Sequence, residues 1–177
     1  MPKDGPYAGF WEPAEQIGLP DGCSVPILIH DVNGDGLQDI IAASGHNYGL
    51  VWYEQGCENG KRTWTEHIID NAWSQYHDIQ LVDINGDGKP EVVTGKRWLA
   101  HNGNDPGDDG EVFICYYTIR DGNRFYRHII DYGSPVNGHS GAGLYFWLKD
   151  LNGNGFPDII APGKEGLYIF YNEGLKD

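Results

Sequence analysis

The chain is built from short apolar runs separated by loops rich in Gly, Asp and Asn, and the order of the runs repeats. An apolar segment (VPILIH from Val25, HDIQLV from His77, GLYFWLK from Gly143) leads into an acidic loop. A β-branched run follows it: DIIAAS, EVVTGK and DIIAPG. Then come aromatic segments, GLVWYEQ, EVFICYY and GLYIFYNEG, and in the first two units a fourth segment, TWTEHIID and RFYRHIID. Runs this short, with β-branched and aromatic residues between turn formers, predict strands. No stretch of ten or more residues carries a 3.6-residue apolar period, so an all-β chain is expected.

Each unit therefore reads as a four-stranded antiparallel meander. The acidic loops begin at Asp31, Asp83 and Asp150, 52 and then 67 residues apart. Four strands per unit and a period of roughly 40 to 50 residues point to β-propeller blades. The wider second spacing is accounted for by the long loop LAHNGNDPGDDG. We expect one propeller-type domain over residues 1–177, with blades near 24–71, 74–132 and 140–177. The last blade lacks a fourth strand, and residues 7–16 look like a strand left over from a preceding or closing blade. Three blades are fewer than the four to eight that usually close a ring. Further blades, or self-association, are expected to complete it.

The loops themselves are DVNGDGLQD, DINGDGKPE and DLNGNGFPD. Like charges about 4 Å apart repel by roughly 4 kcal/mol at an effective dielectric near 20, so such crowding needs an offset. Hard cations supply one, because Ca²⁺ takes six to eight oxygens from carboxylates, amides and backbone carbonyls. Alternate residues point inward in a tight loop, and glycine permits the turn. The expected ligands are Asp31, Asn33, Asp35, the Leu37 carbonyl and Asp39 in the first loop. In the second they are Asp83, Asn85, Asp87, the Lys89 carbonyl and Glu91. In the third they are Asp150, Asn152, Asn154, the Phe156 carbonyl and Asp158. Up to three Ca²⁺ are implied, with Mg²⁺ as a substitute. The loops start like an EF-hand but lack its acid at position twelve, where Ala42, Thr94 and Ala161 stand. The bland alternative is a hairpin in which Asp and Asn cap their own backbone. The third loop has two carboxylates against three elsewhere and is expected to bind most weakly.

These loops, the blade-length period and the GLVWYEQ-type strands resemble FG-GAP/VCBS repeats, the calcium-loop propellers related to integrin α-subunit heads. More narrowly, SGHNYGLVWYEQ, TGKRWLAHNGNDPG and APGKEGLYIFYN resemble propeller proteins similar to the propeller of aldos-2-ulose dehydratase, a sugar lyase. The resemblance implies an extracellular or periplasmic setting and a ring of about seven blades. The start MPKDGPYAGF has no signal-peptide core, so the chain is either intracellular or begins after a removed signal.

Composition narrows the partners. A formal charge of −14 with no long basic cluster argues against nucleic acid or an anionic membrane. There is no apolar run near 20 residues, hence no membrane span. Cys23, Cys57 and Cys115 are too few and too scattered for a disulfide framework, though Cys23 and Cys57 could pair.

Function is expected at the ends of the second strands, where Ser44-Gly45-His46, Gly95-Lys96-Arg97 and Gly163-Lys164-Glu165 occupy matching positions. His46, Lys96, Arg97, Lys164 and Trp98 are candidate ligand-binding residues, and Trp73 and Trp98 candidate platforms for sugar rings. His139 lies in a Gly/Ser turn and adds another imidazole. Trp11, Trp52, Trp64 and Trp147 read as core aromatics, and His67 and His128 as packing residues. Three functions stay open. One is a calcium-stabilised module recognising carbohydrate or protein. The second is a sugar lyase or dehydratase using His77, Lys96, Arg97 and His101. The third is an architectural blade set in an oligomer.

Overall fold

A computed structural model describes residue 17 and residues 25–174. The strand expected at residues 7–16, and Trp11 and Cys23, lie outside the described residues. The chain is all-β. Its first sheet runs β1 (Leu28–His30), β2 (Asp39–Ala43), β3 (Tyr48–Glu58) and β4 (Lys61–Ser74), in that order and antiparallel. The second runs β5 (Tyr76–Val82), β6 (Glu91–Lys96), β7 (Val112–Arg120) and β8 (Arg124–Gly133). A short 3-10 turn at Pro135–Asn137 leads to the third, which has β9 (Trp147–Lys149), β10 (Asp158–Gly163) and β11 (Gly166–Phe170). Three meanders of this form are consistent with blades of a partial propeller.

The strands' two-residue alternation decides how the sheets stack. From β2 and β3, Ile41, Ala43, Leu50 and Trp52 point toward the second sheet and join Tyr76, Ile79, Val92, Phe113, Cys115 and Tyr117 in one buried cluster. The intervening residues of the second sheet, Val93 and Ile114, point the other way. They pack with Ile84, Ala142, Phe146, Ile159 and Ala161. The middle sheet is therefore apolar on both faces, as VV and VFIC require. Polar staples reinforce the first junction: Asp70 at the end of the first blade accepts from Tyr117 Oη at 2.9 Å and from Arg127 Nη1 at 2.7 Å. Arg127 in turn lies 4.1 Å over the Trp73 ring.

Two details differ from expectation. The first strand of the third blade was expected across GLYFWLK but is confined to Trp147–Lys149. The preceding segment is held by side chains instead of a ladder: Phe146 donates its N–H to Asp78 Oδ2 at 3.1 Å, and its carbonyl accepts from Gln80 Nε2 at 2.7 Å. Trp147, expected in the core, is 59 % exposed, with Leu167 and Tyr171 also open on the third sheet. Of the cysteines described, Cys115 is a buried free thiol and Cys57 an exposed one.

The same segment passes very close to its neighbours. A Cβ at Gly141 would sit 1.9 Å from the Lys96 carbonyl oxygen, and one at Gly143 would sit 2.2 Å from that of Pro162. These are backbone atoms and cannot rotate aside. Gly141→Ala and Gly143→Ala are each expected to lower stability by about 1–3 kcal/mol, as overpacking does. Urea midpoints at unchanged m-value will show it, and an unaltered midpoint would mean the crossing is looser than described.

Candidate functional site

The blades present two chemically distinct ends. At one end lie the loops that join the first two strands of each sheet. In each, the first aspartate anchors the turn through both oxygens. Asp31 Oδ1 accepts from Gly34 N at 2.8 Å and its Oδ2 from Gly36 N at 2.9 Å. Asp83 takes Gly86 N at 2.7 Å and Gly88 N at 2.8 Å, and Asp150 takes Gly153 N at 2.7 Å and Gly155 N at 2.9 Å. The glycines are needed: Gly34, Gly36, Gly86, Gly88, Gly153 and Gly155 all have φ between +78° and +92°. The amide oxygens of Asn33, Asn85 and Asn152 face into the loop, each accepting the N–H two residues on.

The ninth-position acids close the loops from below. Asp39, Glu91 and Asp158 are at most 2 % exposed. Asp39 Oδ2 accepts Val32 N at 2.9 Å and its Oδ1 accepts Gln55 N at 2.8 Å, tying the loop to the third strand. Asp158 does the same with Leu151 N and Asn172 N, both at 2.8 Å. Glu91, one methylene longer, reaches Ile84 N and the side chain of Asn85 instead. Burial pushes the Asp39 carboxyl up; the amides of Gln55 and Val32 oppose this, and the charges of Asp35 and Asp31 add to it. Burial likewise raises Glu91, with Asp87 and Asp83 contributing in the same sense. The loops are thus preformed, all-oxygen and short of positive charge. Phe156 of the third loop packs over Gly86 of the second, where an added Cβ would meet its ring at 2.8 Å.

The opposite end carries the β2–β3 turn, the β6–β7 loop and the β10–β11 turn. Here the sequence-predicted group divides. Lys96 and Arg97 are neighbours on an extended strand end and point to different sides. Lys96 is buried, and its Nζ donates to the Gly107 carbonyl at 2.5 Å. It lines a hollow with Tyr48, Trp73, Ser74, Glu111 and Tyr132. Burial holds its ammonium below the usual lysine range although Asp109, Asp108 and Glu111 pull the other way. Arg97 lines a separate groove with Leu144, Tyr145, Trp147, Pro162 and Lys164. Lys164 Nζ reaches back to the Leu99 carbonyl and, at 3.2 Å, to Asn102 Oδ1. Trp73 packs tilted against Phe113 at 3.9 Å between ring centroids and stacks on Tyr132 at 5.7 Å, and Trp98 lies half-buried in the turn after β6.

The imidazoles do come together. His46 and His101 stack at 4.6 Å between ring centroids, and His77 stands edge-on to His46 at 5.1 Å. His77 is 6 % exposed and its Nε2 has no hydrogen-bond partner. Burial first, then the Arg97 charge and the two other imidazoles, push it down to about 4, against the pull of Asp105. Asp105, which sequence reasoning missed, accepts from His46 Nδ1 at 3.0 Å and from His101 Nδ1 at 2.9 Å on one oxygen, Oδ2. Its signal was available only as the i,i+4 pair His101/Asp105 inside an aperiodic loop. His139 is apart from this group, paired with Asp131 at 2.7 Å. His67 and His128 occupy matching places on the fourth strands, stacked on Trp52 and Tyr116.

Comparison with known proteins bears on the first end. Residues 31–94 match the FG-GAP-like repeat. The chain is 29 % identical over 147 residues to the T-cell immunomodulatory protein homolog of Plasmodium falciparum (isolate 3D7), covering 76 % of this chain and 19 % of that protein. It is 25 % identical over 160 residues to human integrin alpha-6, covering 81 % of this chain and 13 % of the integrin. The chain thus spans less than a fifth of the length of these curated relatives. Together the matches support an FG-GAP repeat family, and they carry the sequence resemblance only to that level.

The placement of Lys96 makes a prediction. Lys96→Met removes the anchor of the β6–β7 loop and is expected to cost about 1.5–3 kcal/mol, the range for hydrogen bonds to charged groups. Amide exchange should quicken across residues 97–111 and stay unchanged in β7. Undiminished stability with lost ligand binding would instead make Lys96 a recognition residue.

Proposed function

We propose that the chain is a calcium-stabilised β-propeller module that recognises a carbohydrate or protein ligand at the end of the blades opposite the calcium loops. The observation that carries this reading is the threefold recurrence of one loop geometry. In all three, a glycine-cradled aspartate, an inward amide oxygen and a buried ninth-position acid stand at the same positions. An all-oxygen donor set of carboxylates and amides fits a hard cation; Asp31 Oδ1 and Asp83 Oδ1 each accept two N–H groups, but their Oδ2 atoms accept one and keep a lone pair for ligation. Asp31, Asn33, Asp35, Leu37 O and Asp39 would hold the first ion. Asp83, Asn85, Asp87, Lys89 O and Glu91 would hold the second. Asp150, Asn152, Asn154, Phe156 O and Asp158 would hold the third, with Mg²⁺ as an alternative occupant. The ion would supply charge neutralisation that locks the turn between the first two strands.

At the other end, the groove of Arg97, Leu144, Tyr145, Trp147 and Lys164 combines exposed aromatic faces with two cations. That suits sugar rings or an acidic segment of a protein. Recognition is favoured over catalysis because Lys96 is held by the Gly107 carbonyl in a separate hollow, away from the imidazoles of His77 and His101. The third sheet leaves an apolar face uncovered among the described residues, with Trp147 59 % and Leu167 70 % exposed. This supports further blades, or another copy, packing against it.

Saturating calcium is expected to raise Tm by several degrees, given about 2.7 kcal/mol at one hundred times Kd and roughly 2–4 °C per kcal/mol for a chain of this size. Asp35→Ala and Asp87→Ala should each remove one bound calcium by calorimetry, and the Asp150 loop should fill last. Chelator without effect on Tm would overturn the calcium reading. For the ligand, electrophoresis in gels containing laminarin, xylan or polygalacturonate should show retardation that Trp147→Ala abolishes. Free migration in all three would leave protein as the ligand class.

A further inference from the structure

We propose that His46, His101 and Asp105 form a second kind of metal site, one for a Zn²⁺-class transition ion, at the end of the blades opposite the acidic loops. One ligand atom from each residue lies within 4.8 Å of the others. Both Nδ1 atoms already converge on the same Asp105 oxygen, at 2.9 and 3.0 Å. Tetrahedral zinc with bonds of about 2.0–2.1 Å sets its ligand atoms about 3.3 Å apart. Two of the three separations are close to that, and the third closes when the His46 and His101 rings, stacked at 12° between planes, tilt so that both Nδ1 lone pairs meet one ion.

The donor chemistry separates this site from the loops. Two imidazoles and one carboxylate are borderline ligands that suit zinc and its neighbours, whereas the loops offer only hard oxygens. Position separates them as well. Strand β2 runs from Asp39 at the loop end toward the turn bearing His46, seven residues on, a span of roughly 20 Å at about 3.3 Å per residue. The inference therefore stands whether or not calcium fills the loops.

The scaffold holds the three ligands from several sides. His46 comes from the first blade, and His101 and Asp105 from the long loop of the second. That loop is pinned internally by Leu99 N to the Asp108 carbonyl at 2.9 Å and Gly103 N to Asp108 Oδ2 at 3.0 Å. Leu99 and Asn102 adopt left-handed φ of 45° and 60° to make its turns. Gln75 donates to the Pro106 carbonyl from below, and Lys164 grips Leu99 and Asn102 from the third blade. A loop with no regular structure is thus fixed where it presents His101 and Asp105.

A buried imidazole completes the wall. His77 stands edge-on to His46 with Nε2 lacking a partner, and a buried nitrogen left unsatisfied is costly. His77 flanks the cluster without belonging to it: the three ligand atoms that gather are those of His46, His101 and Asp105. On the outer side the His46 and His101 side chains are 30 % and 53 % exposed, so three protein ligands would leave a coordination position facing solvent. Such an open position takes an oxygen ligand, here a carboxylate or a sugar hydroxyl, beside the groove of Arg97 and Lys164.

The test uses the whole chain in saturating calcium, so that the loops are filled before zinc is added. Calorimetry with zinc chloride should show one ion per chain, and Co²⁺ in its place should give visible d–d absorption. The His46→Ala/His101→Ala double variant and Asp105→Asn should each lose affinity at least tenfold, while the calcium-dependent rise in Tm stays as in the parent protein. In the unmodified protein, zinc should shift the ring-proton resonances of His46 and His101 before those of His139, a readout independent of any variant. No stoichiometric zinc binding, undiminished binding in both variants, or ring shifts absent from His46 and His101 would overturn the proposal.

Discussion

The structure turns on a carboxylate taken out of water at the start of the second strand of every blade. An isolated buried ion costs several kcal/mol, and it survives only if its oxygens are fully occupied. Asp39 and Asp158 meet this condition in the same way, taking the amide of the residue after the first aspartate and a second amide, from Gln55 within β3 or from Asn172 just past β11. One side chain therefore joins the loop to two strands and sets where the second strand begins. The register of Ile41 and Ala43 against the neighbouring sheet follows from that point. In the middle blade Glu91 spends its second oxygen on Asn85, so there the loop is closed on itself and not onto the third strand.

That arrangement satisfies hydrogen bonds but leaves charge unbalanced. Asp31 and Asp35 act on Asp39, and Asp83 and Asp87 on Glu91, each raising the cost of the buried acid's ionised form. The cation proposed for these loops would remove the imbalance and add cross-links between the same groups. The opposite end of the blades is mixed in character: three imidazoles, Lys96, Arg97 and Lys164 stand there among the carboxylates of Asp105, Asp108, Asp109, Glu111 and Glu165.

Much of this was legible in the sequence, and the failures have physical causes. Strands, their order and the three loops could be read because a two-residue apolar alternation and Gly-bearing Asx turns are local signals. Trp147 was misread because alternation says which residues share a face but not whether a neighbouring sheet covers it. Ile159 and Phe170 face the middle sheet, while Trp147 lies on the open side. Lys96 looked like a partner of Arg97 by adjacency, yet adjacent residues on a strand end diverge, and Lys96 was drawn inward by the Gly107 carbonyl. Asp105 was missed, although His101 stands four residues before it, because its role depends on the left-handed turns at Leu99 and Asn102 in a loop without any period. His46, His77 and His101 were individually suspected, but only the packing of two blades brings them to one place.

The most direct measurement is a crystal structure grown in millimolar calcium with anomalous data. The account predicts density at the first two loops surrounded by six to eight oxygens at about 2.3–2.6 Å, from Asp31 to Asp39 and from Asp83 to Glu91, and weaker density at the third. Loops that keep their internal hydrogen bonds with no ion among those oxygens would contradict it.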